Sequence, residues 1–235
     1  MNIFILKIAI AALAISSLST TISADDLDDI LQVELRPGWR RDDGTHIAAL
    51  QISLAPGWKT YWRQPGDTGI PPKFNFTGSS NLNVIDVLYP IPNITWQDGS
   101  RSIGYEGEVV FPIIIQPRNK NRVKLVGQIE IGVCKEICIP VSLIVSERLP
   151  VGAPKDTVIE AAIQTLPKLG MEKILCKFSQ IADGMRLSLT LARPTHEMID
   201  ATIELGNSNL WIETPKSKQV GGQIQITANI LTPTG

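Results

Sequence analysis

Frequent interruption constrains this chain most: from Leu31 to Glu147 its apolar runs are short, and proline or glycine clusters break them before a helical period can build. His46 to Leu54 (HIAALQISL) alternates apolar with small or polar residues, as a half-buried strand does, and Pro56-Gly57 stops it. Lys59 to Arg63 (KTYWR) reads as a second, aromatic strand. Gln64 to Pro72 is too rich in proline and glycine for anything but an ordered loop. Lys73 to Phe76, Val84 to Tyr89, Glu108 to Ile115, Val123 to Ile131 and Val141 to Ser146 supply further strands. About seven short strands at this spacing predict an all-β chain built on a β-sandwich. Trp96 to Tyr105 reads as a mobile loop between strands, with Ile103 and Tyr105 as its large apolar groups.

After Pro150 the texture changes. Asp156 can cap a short helix through Val158, Ile159, Ala162, Ile163 and Leu166, which Pro167 and Gly170 end, so residues 151–170 read as a linker with one helix. Strand-like runs resume at Ile174 to Phe178, Met185 to Leu191, Ala201 to Leu205 and Gln223 to Ile230, so residues 171–235 read as a second small β unit. Four strands make an incomplete sandwich. Either this unit packs on the first domain or the chain is truncated relative to its relatives, and the second reading is preferred.

The N-terminus bears on compartment. Lys7 precedes the apolar run Ile8 to Ile15, and small polar residues follow to Ser23-Ala24, the pattern of a secretory signal peptide over residues 1–24. That run is shorter than the about 20 residues of a bilayer span. Cleavage after Ala24 is expected, with an uncleaved anchor as the alternative. Lys and Arg number 22 against 23 Asp and Glu, so no basic excess is present to hold a nucleic-acid backbone.

Cys134 and Cys138 lie four positions apart in strand-like sequence, VCKEICIP. In a continuous strand their sulfurs would stand roughly 13 Å apart and could not bond. If Lys135, Glu136 and Ile137 form a three-residue turn, the two face each other with Cα atoms about 5.5 Å apart, within disulfide range. From the residues alone, a reactive bond and a structural staple are equally open. Cys176, on the run Ile174-Leu175-Cys176, is expected to be a buried, inert thiol. Tyr61, Trp62 and Trp58 can be core aromatics or can line the cysteine site. His46 and His196 stand apart from any cluster at ligand spacing, so no metal site and no cofactor is expected.

Four motifs in order, PGWKTYWR at 56–63, PGDTGIPP at 65–72, Ile103-Gly104-Tyr105 and VCKEICIP at 133–140, resemble the N-terminal periplasmic domain of the protein-disulfide reductase DsbD, in the branch that includes the suppressor of copper sensitivity protein ScsB. The resemblance covers residues 27 to 150 strongly and the rest loosely. It implies an immunoglobulin-like redox domain in the bacterial periplasm, one component of a protein-disulfide reductase. A thioredoxin-like domain or membrane thiol carrier would donate electrons, and a periplasmic disulfide protein would accept them. Cys138 would form the mixed disulfide and Cys134 would resolve it, with Tyr61 and Trp62 lining the site and a cap over residues 98–105 presenting Ile103 or Tyr105. The better-known family members have more residues between the cysteines and a Phe at the cap tip, whereas this chain has three intervening residues. Full-length members also carry membrane helices and a thioredoxin-like domain, neither of which is read in this chain. A copper-binding module using the same thiolates is the second reading, and a non-catalytic sandwich stapled by the bond is the third.

Overall fold

The computed structural model describes residues 27–170, 173–192, 200–205 and 210–231. The expected signal segment at 1–24 lies outside them, as do Met171, His196 and Met198.

Ten strands build the first body: β1 (Leu31–Arg40), β2 (His46–Leu54), β3 (Lys59–Gly66), β4 (Lys73–Asn75), β5 (Leu82–Val87), β6 (Asn93–Gln97), β7 (Ser100–Glu106), β8 (Glu108–Pro117), β9 (Lys124–Cys134) and β10 (Cys138–Arg148). They form two sheets, ordered β1-β2-β8-β5 and β10-β9-β3-β7-β6, with β4 also pairing β9. Leu50, Ile52, Phe111 and Ile113 of the first sheet share one core with Ile103, Leu125, Ile129 and Ile131 of the second, which is the expected immunoglobulin-like sandwich. Strand alternation places these residues: on β9, Leu125, Ile129 and Ile131 are buried while the neighbouring Lys124, Gln128 and Glu130 are exposed.

Strand β2 departs from half-burial, since His46 through Leu50 are all buried. Helix α1 (Thr157–Gln164) explains this, because its Ile159 and Ala162 pack on Ile47, Ala49, Trp39 and Val110, on the face of the sheet opposite the main core. Asp156 caps α1 as expected, accepting from the Val158 and Ile159 N–H groups at 2.9 and 3.2 Å, and it also pairs with Arg36 of β1 at 2.9 Å. The helix read as part of a linker is thus packed into the body of the sandwich.

The predicted loop at 96–105 is mostly strand. β6 and β7 pair from Asn93↔Gly104 to Gln97↔Ser100, turning at Asp98-Gly99, where both residues have positive φ, 50° and 80°. Asp-Gly is the dipeptide a two-residue hairpin turn of this hand favours, so the signal was in the sequence.

A third sheet follows, formed by β11 (Leu175–Ile181), β12 (Gly184–Ala192), β13 (Trp211–Ile212), β14 (Lys216–Val220) and β15 (Gln223–Leu231), in the order β11-β12-β15-β13 with β14 also on β15. Leu187, Ile224, Ile226 and Ala228 are its buried residues. Ala201 to Leu205, expected as a strand, is irregular; its polar groups meet the sandwich instead. The polar strand β14 was missed for want of apolar alternation, although the Gly221-Gly222 turn joining it to β15 is itself a hairpin signal. Cys176 is exposed, contrary to the expected burial, because neither face of β11 is covered among the described residues, and alternate positions on both sides of the strand are exposed.

Candidate functional site

Strand β9 ends at Cys134 and β10 begins at Cys138, and the two are register partners joined by a disulfide. Their Cα atoms are 4.1 Å apart, closer than the spacing argument gave. The reason lies in the turn, where the Lys135 N–H donates to the Ile137 carbonyl at 3.1 Å. That bond leaves the cysteines at a non-hydrogen-bonded pair, where facing Cα atoms approach to about 4.5 Å rather than about 5.5 Å.

The two sulfurs have unequal surroundings. Cys134 is 1 % exposed and has Lys59 of β3 as its neighbour across the sheet. Cys138 opens the edge strand β10 and is exposed, beside Ile137 at the turn. The Lys135 side chain runs along the Pro56-Gly57 turn, with Cε 3.2 Å from where a Gly57 Cβ would stand.

Tyr61 reaches this pair. Strand alternation sends Trp62 into the core and Tyr61 to the outer face of the sheet. There the Tyr61 hydroxyl lies 3.5 Å from Cys138 Sγ. Burial raises the Tyr61 pKa, so the group stays protonated and can donate to sulfur.

The Gly66–Pro72 segment forms a strap that meets the Tyr61 ring at Gly69. Gly69 lies so close to the ring that a Cβ there would collide with Cδ1, and Ile70 packs on Gly132, two positions before Cys134. Gly66, at φ +87°, presses against the Arg101 carbonyl, where no Cβ fits. Asp67 then grips the Arg101 backbone twice, its N–H donating to the carbonyl and its Oδ2 accepting from the N–H, both at 2.8 Å.

Of the predicted lining and cap residues, the structure brings only Tyr61 to the sulfurs. Trp62, Ile103 and Tyr105 belong to the sandwich core. Tyr105 donates to the Pro90 carbonyl at 2.9 Å and stands edge-on to Phe111 at 5.3 Å. Ile103 and Tyr105 face inward because β7 is a regular strand between β3 and β6, so they do not cap the sulfurs. Sequence reasoning missed Gly69 and Asp67, although both lie in the PGDTGIPP motif. Among the described residues, no three of His, Cys, Asp and Glu gather into a group that could hold a metal ion.

A β-sandwich with one shielded and one accessible sulfur across the end of a hairpin has the geometry that a thiol–disulfide exchange domain needs. Residues 28–148 match the family described as thiol:disulfide interchange protein DsbD, N-terminal, and the chain belongs to that family. Its fold is similar to the crystal structure of the N-terminal periplasmic domain of ScsB from Proteus mirabilis, with a TM-score of 0.67 and 24% identity, over 91% of this chain and 84% of that one. Comparison with curated proteins gives no match.

Proposed function

We propose that this chain is a periplasmic electron relay whose Cys134–Cys138 bond is reduced by a thioredoxin-like domain or membrane thiol carrier and re-formed by reducing a periplasmic disulfide protein. The observation that carries it is the asymmetry of the pair, with Cys134 1 % exposed and Cys138 open beside the Tyr61 hydroxyl. A donor thiolate attacks Cys138 Sγ in line with the S–S bond, and the bonding electron pair leaves on Cys134 Sγ. The donor's second thiolate then displaces Cys138, which departs as a thiolate with the Tyr61 O–H directed at it. In the second half, the Cys138 thiolate attacks the acceptor's disulfide, and Cys134 resolves the adduct to restore the bond. The acceptor is thereby reduced by two electrons, and the chain returns to its starting state. Family membership supports the exchange chemistry, and the signal-like residues 1–24 support the periplasm.

The test is trapping. Cys134→Ser leaves Cys138 unable to resolve, so periplasmic extract should yield a covalent adduct that a reductant releases and mass spectrometry maps to Cys138. Absence of any adduct, together with a wild-type bond that a thioredoxin-like protein does not reduce, would leave the pair a structural staple.

A further inference from the structure

We propose that Asp67 and Arg101 are positioning residues through which the second β unit holds Tyr61 against Cys138, an inference that rests on the exchange reading above. Arg101 is 2 % exposed, and its guanidinium finds its partners in the second unit: Asp200 Oδ2 at 3.1 Å, the Ala201 carbonyl at 2.8 Å and Thr202 Oγ1 at 2.9 Å. Asp67 bridges the same two bodies. While Oδ2 accepts from the Arg101 N–H, Oδ1 accepts from the Thr214 hydroxyl at 3.0 Å. A third link joins Arg63 to Glu204, with Nη2 donating to Oε2 at 2.7 Å.

All three links attach to β3, β7 or the strap, the elements that surround Tyr61. The mechanical path is short: Thr214 holds Asp67, Gly69 two residues on lies against the Tyr61 ring, and the Tyr61 hydroxyl meets Cys138 Sγ. A strap freed from the second unit leaves the ring free to turn away from the sulfur. The Arg101–Asp200 pair is itself buried at this junction, so removing the Asp200 carboxylate alone would leave a buried guanidinium without its ionic partner.

The experiment measures alkylation of Cys138 in the reduced full chain against pH, read by peptide mass spectrometry so that Cys176 is counted separately. The limiting rate at high pH reports access, and the midpoint reports stabilisation of the thiolate. Asp67→Ala is expected to raise the midpoint and slow the reaction at neutral pH by about fivefold or more. Thr214→Val, which leaves the Arg101–Asp200 and Arg63–Glu204 ion pairs in place, moves the midpoint in the same direction by less. Neither adds to Tyr61→Phe, because all three remove the same hydrogen bond. Arg186→Gln, which loses a contact to Asn229 inside the second unit, leaves the profile at wild type. Unchanged midpoints in Asp67→Ala and Thr214→Val, or effects additive with Tyr61→Phe, would overturn the proposal. A wild-type bond that resists thioredoxin-like reductants would overturn the exchange reading instead, and the alkylation profile would still report on the junction.

Discussion

At the scale of single residues, two buried polar side chains are placed oppositely. Tyr61 is hidden but has a sulfur to donate to, whereas His46 is fully buried with Nε2 2.7 Å from the Pro37 carbonyl and Nδ1 without a partner. A carbonyl only accepts, so Nε2 carries a proton, and Nδ1 is the nitrogen that gains or loses one. Burial, with Arg40 adding repulsion, lowers the His46 pKa below 6.5. The sign of its effect on stability follows from proton counting. Below pH 6.5 the unfolded chain takes up a proton that the folded chain refuses, so stability is full above that pH and falls as pH drops through it toward the folded value. Urea midpoints should therefore decline between about pH 7 and pH 5 in the wild type, and His46→Leu should flatten that decline. Equal slopes in the two proteins would show that His46 is not the group responsible.

At the scale of elements, the hairpin disulfide and the strap carry separable expectations. A bond between residues four apart closes a very short loop, so chain entropy limits its stabilisation to about 2 kcal/mol. Reduction should accordingly lower the unfolding free energy by no more than about that amount, measured by denaturant melts with and without reductant; a much larger loss would favour the staple. Gly69→Ala would force the strap off the Tyr61 ring and should slow Cys138 alkylation at neutral pH as Tyr61→Phe does, while Ile159→Ala in α1 should cost about 2–5 kcal/mol and leave that rate unchanged. The strands on either side of the pair were legible because β9 alternates cleanly and the VCKEICIP spacing permits only a turn if the sulfurs are to meet. The strap's contact with Tyr61 was not, because a glycine chosen for what it allows to approach leaves no apolar or charged signal. Ile103 and Tyr105 were misplaced for a related reason: a large apolar residue near an Asp-Gly turn reads equally as loop tip or as strand interior until its pairing partner is known.

At the scale of the whole molecule, the two bodies differ in depth. The sandwich has a continuous core between its sheets, reinforced by α1 over β2. In the described part of the second unit, the buried residues are Leu187, Ile224, Ile226 and Ala228, while Leu175, Phe178 and Trp211 are each more than half exposed. Local opening free energy follows buried apolar contact, so the third sheet should open well before the sandwich does. The strap is tied through Asp67 both to the Arg101 backbone of β7 and to Thr214 of the second unit, and its protection shows which tie holds it. Hydrogen exchange followed by mass spectrometry should show β12 and β15 exchanging ahead of β2, β8 and β9, with amides of the strap exchanging at the rate of the second unit. Asp67→Ala should hasten exchange in the strap without changing β9. Strap amides as protected as those of β9, in a chain whose third sheet has already exchanged, would mean that the sandwich alone holds the segment over Tyr61.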